Sequence, residues 1–315
     1  MTTIDDVRAA AERLRGLVHR TPCWSATSLG DLFGVRLHVK AETFQRTGSF
    51  KLRGALNAVL TLPDADRRRG LVAISAGNHA AALAYAARAA GTTATIVMPA
   101  TANPAKIAAT ESYGGEVVLT AGAMLDAMHE IRAERGLTLV HPFDDPAVVA
   151  GAGTVGLEIV EDVPDVDHVI VQVGGGGLVS GVATAVKALR PSASVYGVEP
   201  EGADVVSRCL AAGEVVAMQP SSVADGLCAP IGGVVTMPII ESLVSAVGIV
   251  TDDDIRTALR LVLERTKLVV EGAGAAGVAG LVAKSFDIPP GSNVVVIATG
   301  GNVDAPTLAR LLGAS

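Results

Sequence analysis

Two kinds of hydrophobic spacing alternate along the chain. Residues 4–17 carry apolar side chains at helical intervals, with Asp5 and Asp6 at the start, where carboxylates suit the positive end of a helix dipole. Residues 35–41, Val-Arg-Leu-His-Val-Lys-Ala, alternate with period two and predict a strand. From Gly70 onward, short β-branched runs are each followed by an Ala-rich helical stretch. Strands are predicted at 71–75, 94–98 and 116–119, with helices ending near Ala90, covering 104–113 and ending near Gly136. The alternation resumes with a strand at 168–173, a helix to Leu189 and a strand at 194–199. It closes with a strand at 293–298 before a helix from Asp304. This order predicts an α/β fold of open, twisted parallel sheets with helices on both faces. A chain of 315 residues has room for two such sheets. The turn-rich stretches are 63–70 and His141-Pro142-Phe143-Asp144-Asp145-Pro146. They set the expected domains: residues 1–68 and 146–315 form a large one, and 69–145 a small inserted one.

Composition narrows the picture. Half the residues are hydrophobic and 18% are charged, which excludes disorder over most of the length. Aromatics are only 3%, a profile suited to buried parallel strands and close helices rather than a β-sandwich. The net charge of −7, with no basic cluster beyond Arg67-Arg68-Arg69, argues against a nucleic-acid partner. Cys23, Cys209 and Cys228 have neither disulfide nor metal-site spacing. The longest apolar stretch, 268–283, is interrupted by Glu271 and falls short of the roughly 20 residues that span a bilayer. The charged N-terminus does not read as a signal peptide, so a cytoplasmic protein without a membrane partner is expected.

Two features carry chemistry. The strand at 168–173 runs into Gly174-Gly175-Gly176-Gly177, and a helix follows from Leu178. Bare N–H groups at the positive end of a helix make an anion site. A nucleotide-binding oxidoreductase is the rival from another class, with Glu199 standing where an acid follows a dinucleotide loop. However, Val179 or Ser180 occupies the position of the third glycine, and a terminal phosphate fits better. The second feature is Lys51, beside Phe50 near the start of a predicted helix, where a cation opposes the helix dipole. A desolvated lysine can form a Schiff base with a carbonyl cofactor.

Four motifs, in order and at matching spacing, cover nearly the whole chain: SFKLRGA around Lys51, SAGNHA from Ser75, the glycine run, and TGGN from Thr299. Together they resemble the fold-type II pyridoxal-phosphate (PLP) enzymes, in the threonine/serine dehydratase and serine racemase group, with a tryptophan synthase β-like fold. The resemblance implies that Lys51 holds PLP as an imine and takes the substrate α-proton, with Phe50 packed on the ring. Asn78 is expected at the phenolic oxygen; Gly174, Gly175, Gly176, Gly177 and Leu178 around the phosphate; Gly226 near the ring; and Thr299 at the pyridine nitrogen. Ser75, Ala76, Asn78 and His79 are expected around the carboxylate of an amino-acid substrate. A homodimer is implied as well.

The same resemblance separates activities. A neutral hydroxyl at Thr299 makes the ring a weaker electron sink than a carboxylate partner would, which favours β-elimination. Racemases place a serine where this chain has Ala76, and a polar residue where it has Phe143; residues 120–130 offer no arginine. The expected reaction is dehydration and deamination of L-threonine, L-serine or both. Serine racemase and 3-hydroxyaspartate or phenylserine dehydratase are the alternatives. Glu199 and the carbonyl of Ala203 match two ligands of a divalent-cation site in the racemases. Val205 stands where an aspartate belongs, so no metal is predicted.

Overall fold

A computed structural model describes residues 1–313. Among the described residues ten strands are formed: β1 (Cys23–Ser25), β2 (Arg36–Ala41), β3 (Leu71–Ile74), β4 (Ala94–Pro99), β5 (Glu116–Thr120), β6 (Thr138–Leu139), β7 (His168–Gln172), β8 (Ser194–Pro200), β9 (Ala246–Val250) and β10 (Asn293–Ala298). They build a six-stranded sheet of order β1-β2-β10-β7-β8-β9 and a four-stranded sheet of order β5-β4-β3-β6. All neighbours run parallel except β1, which pairs antiparallel with β2. The period-two segment and the β-branched runs predicted as strands are all present, each within a residue or so of its predicted bounds. The short strands β1, β6 and β9 are additions, and β1 departs from the expected parallel pattern.

Both faces of the large sheet are covered, which explains its unbroken apolar strands. Val169, Val171, Val295 and Ile297 pack against the helices Pro146–Asp162 and Gly177–Leu189. Ile170, Val198, Val294 and Val296 face the helices Asp252–Thr266 and Gly272–Val282 on the other side. The second of these is the apolar stretch noted above. Its glycines cost helix propensity but admit close neighbours, such as the carbonyl of Gly300 at Gly274. The strands of the small sheet lie between residues 71 and 139, inside the expected small domain. Its buried cluster, however, also contains Leu52, Leu56 and Val59, so the helix Lys51–Thr61 packs its apolar side there.

Because parallel strands share a direction, their carboxyl ends share an edge. The loop after β2 leads to Lys51, the loop after β3 holds Ser75 to His79, β7 runs into the glycines, and β10 into Thr299. Four motifs far apart in sequence therefore meet at the cleft between the two sheets.

The start of the Lys51 helix is anchored from behind. Arg53, only 1% exposed, donates to Glu42 through Nε and Nη2 (2.8 Å each) and to Glu158 through Nη1 and Nη2 (2.7 and 2.9 Å). Lys40, also buried, pairs with Glu158 at 2.6 Å. Burial penalises the Arg53 cation, but the two carboxylates more than offset this and raise its pKa. Replacing Arg53 with Met leaves the buried Glu42 without its cation and Glu158 with Lys40 alone, and a loss of about 3–5 kcal/mol in urea-unfolding free energy is expected. A loss under about 1 kcal/mol would show that the cluster contributes little.

Candidate active site

The convergent loops enclose a cavity of about 420 Å³ lined by Phe50, Lys51, Ser75, Ala76, Asn78, His79, Gln172, all four glycines, Leu178, Gly226 and Thr299. The structure thus gathers every residue expected around a cofactor and substrate. It adds Met124, Phe143 and Glu271 to the lining.

Lys51 opens its helix, and its Nζ donates to the carbonyl of Pro142 at 2.9 Å. It also lies 5.2 Å from the centroid of the Phe50 ring. No carboxylate reaches it among the described residues, and burial lowers its pKa to about 8. At pH 7 roughly a tenth of Lys51 is therefore free amine, far more than for an exposed lysine, and a nucleophile or base draws on that form.

The glycine run owes its composition to packed neighbours, Phe143 and Leu227 in the cavity wall and Thr236 and Ile240 behind it. A side chain at Gly175 would overlap the Phe143 ring, and one at Gly177 would sit 3.0 Å from the Phe143 backbone and Cβ. At Gly174 a Cβ would press on Leu227, and at Gly176, where φ is +92°, on Ile240 and Thr236. With protein packed against the outside, the N–H groups of Gly175, Gly176 and Gly177 find no acceptor among the described residues. The helix Gly177–Leu189 starts there, so these donors sit at its positive end.

The β3 loop enters the helix Asn78–Ala89. Ser75 Oγ accepts from the N–H of Gly77 and of Ala80, both at 3.2 Å, and so shapes the turn. His79 is buried, with Nε2 3.2 Å from the Val140 carbonyl, and burial drives its pKa down to about 3. A neutral imidazole held there is a poor partner for a carboxylate. The N–H groups of Asn78 and His79, which have no acceptor among the described residues, are better placed for that work. Asn78 Nδ2 donates to Glu271 Oε1 (2.5 Å), and its Oδ1 accepts from Asn302 Nδ2 (2.7 Å). Burial raises Glu271 to about 7.

Thr299 is buried at the end of β10, with its Oγ1 3.3 Å from Gln172 Nε2 and its carbonyl accepting from the Phe50 N–H. Gln172 escaped the sequence reading, although a polar residue closing the run Val-Ile-Val-Gln was a usable signal. Its Oε1 and the Nδ1 of His79 are buried without partners, and both residues line the cavity. A polar ring compound carrying a phosphate fits these features: orphaned donors and acceptors, open N–H groups at a helix start, a hydroxyl and a desolvated amine. Lys51 would hold its carbonyl, the glycines its phosphate and Thr299 its ring nitrogen.

Glu199 is used differently. Both of its oxygens accept from the start of the helix Val205–Ala212: from Val206 N and Ser207 N at 2.8 Å each, and from Ser207 Oγ at 2.6 Å. Burial raises its pKa to about 7. No cluster of three or more metal-type side chains occurs among the described residues.

Comparison with known proteins agrees with this geometry. Residues 14–300 match the family described as "Pyridoxal-phosphate dependent enzyme". The L-threonine ammonia-lyase of Thermotoga maritima is 40% identical over 99% of this chain and 78% of its own length. The catabolic L-threonine dehydratase of Escherichia coli is 38% identical over 98% of this chain and 96% of its own. Maize serine racemase superposes with a TM-score of 0.93 at 38% identity, over 98% of this chain and 96% of that one. The backbone alone therefore does not separate lyase from racemase.

The low pKa of Lys51 has a direct readout. In protein freed of cofactor, reductive methylation of Lys51 followed by mass spectrometry should speed up with pH to about 8 and then level off. Exposed lysines should keep gaining reactivity to about pH 10. A Lys51 profile that tracks the exposed lysines would contradict the desolvation argument.

Proposed function

The chain belongs to the pyridoxal-phosphate-dependent enzyme family, and from that premise we propose that it is an ammonia-lyase converting L-threonine, L-serine or both to a 2-oxo acid and ammonia. The observation that carries the reading is the inventory of titratable groups at the cavity. Lys106 is paired with Asp225, His79 is neutral and turned to Val140, and Glu271 is tied to Asn78. Ser75 Oγ accepts from the N–H groups of Gly77 and Ala80, Ala76 contributes no proton donor, and burial holds Cys228 as a thiol by raising its pKa. Lys51 is left as the one group suited to act as base. A single base serves elimination, whereas racemisation calls for a second donor across the substrate.

The chain's own groups divide the work. The N–H groups of Asn78 and His79 bind the substrate carboxylate at the helix start. Phe50, Phe143 and Met124 line the cavity with apolar surface and exclude water, which favours the uncharged form of the Lys51 amine. Lys51 removes the proton from the substrate α-carbon, and the β-hydroxyl gains a proton and leaves as water; the released enamine then takes up one water to give the 2-oxo acid and ammonia. Bound PLP supplies the electron sink for this step. Thr299 would offer the ring nitrogen a neutral hydroxyl, which would keep that sink modest and would suit a reaction whose electrons leave with the β-substituent.

The inventory also bears on the substrate. With Lys106 already paired, no free cation remains for the second carboxylate of 3-hydroxyaspartate among the described lining residues. Closure of residues 69–145 over the substrate belongs to the same proposal. Lys106–Asp225 and Asn103–Asp304 (2.5 and 2.7 Å) support it, since both cross the cleft. So does assembly as a homodimer, for which the exposed Phe44 beside Trp24 offers apolar surface. No helix among the described residues is long and apolar enough to cross a membrane, and a cytoplasmic setting is proposed.

Incubating the purified enzyme with L-threonine and with L-serine should release 2-oxo acid and ammonia without accumulating D-serine. Lys51→Ala should lower the rate by roughly 10³-fold or more. D-serine as the main product would favour the racemase reading. No 2-oxo acid from any β-hydroxy amino acid would overturn the proposal.

A further inference from the structure

Among the side chains that clasp the glycine run from outside, Thr236 differs in kind. It is fully buried and stands at the N-cap position of the helix Met237–Leu243, yet its side chain makes no capping hydrogen bond. A threonine at such a position ordinarily turns its oxygen back to the first helical N–H groups. Here Oγ1 donates instead to the carbonyl of Gly175 at 2.8 Å, and the other acceptor in reach, Gly233 O, is 3.5 Å away. A hydroxyl has one proton, and the shorter bond takes it.

The peptide joining Gly175 to Gly176 is trans, so its C=O and N–H point in opposite directions. Holding the Gly175 oxygen on the outer side therefore turns the Gly176 N–H inward. Glycine backbones have little intrinsic preference, and φ at Gly176 is +92°, so this peptide could flip without an outside anchor.

Thr236 is itself held by a second residue. Asp144 Oδ1 accepts from Val235 N (2.7 Å) and Thr236 N (3.3 Å), and Oδ2 from Val234 N (2.9 Å). Gly233 lets this carboxylate nest in the turn, because a Cβ there would overlap Asp144. Asp144 follows Phe143, which packs on Gly175 and Gly177, and Pro142, which accepts from Lys51. We infer that Thr236, fixed by Asp144, is a positioning residue for the cofactor phosphate: its hydroxyl sets the Gly175–Gly176 peptide so that the Gly176 N–H faces the anion.

The test compares PLP with pyridoxal, which lacks the phosphate. Enzyme freed of cofactor is titrated with each compound for wild type, Thr236→Val, Thr236→Ser and Asp144→Asn. Thr236→Val should bind PLP about tenfold more weakly, the worth of roughly one hydrogen bond, with pyridoxal affinity changed by less than about twofold. Thr236→Ser keeps the hydroxyl and should recover most of the PLP affinity. Asp144→Asn should lose PLP affinity selectively, and it carries the same comparison if Thr236→Val does not fold. Undiminished PLP affinity in the folded variants would overturn the inference. So would equal weakening of both compounds, since the hydroxyl would then only support the fold.

Discussion

The common direction of the parallel strands is the constraint on which the rest of this structure depends. In the large sheet β2, β10 and β7 run side by side in register, so the loops that leave them emerge together. β3 of the small sheet brings the Ser75 turn to the same cleft. Each loop carries one chemical capability: an amine, a hydroxyl, an anion cup or a carboxylate-binding helix start. None of these would be a site alone. Their convergence follows from the right-handed, helix-covered connections that parallel strands demand.

Around that convergence, charge is arranged by subtraction. The strong charges near the Lys51 helix are paired behind it, where Arg53 and Lys40 meet Glu42 and Glu158. Those at the cleft mouth pair with each other. Lys51 is left in an apolar surround with only a carbonyl for company. Desolvation, rather than a neighbouring charge, then sets its reactivity. The glycine run works in a related way. Phe143, Leu227, Thr236 and Ile240 fill the space that side chains on the run would need, and the N–H groups of Gly175, Gly176 and Gly177 remain to be satisfied.

Much of this was legible in the sequence, because local signals and function coincide at the strand ends. One period-two run and several short β-branched runs located most strands, and the glycines and Lys51 mark themselves by breaking local rules of stability. The missed pieces have physical causes. β9 contains Gly248 and lies at an edge, and β1 spans three residues, so neither shows enough alternation. The helix Gly272–Val282 defies propensity because it is stabilised by tertiary packing. Phe143, Asp144 and Thr236 are ordinary residues in their local context; only the fold brings them against the glycines. His79 was legible as a site residue, but its orientation was not. Burial neutralises the ring, and the carbonyl that orients it, Val140, lies 61 positions away in sequence.

The central claim is that Lys51 is the lysine to which the cofactor is attached. Borohydride reduction of the purified enzyme, followed by peptide mass spectrometry, tests it most directly. The account predicts one reduced pyridoxyl group per chain, on Lys51, with loss of the visible absorbance. Attachment to Lys40, Lys106 or another lysine, or no attachment at all, would contradict it.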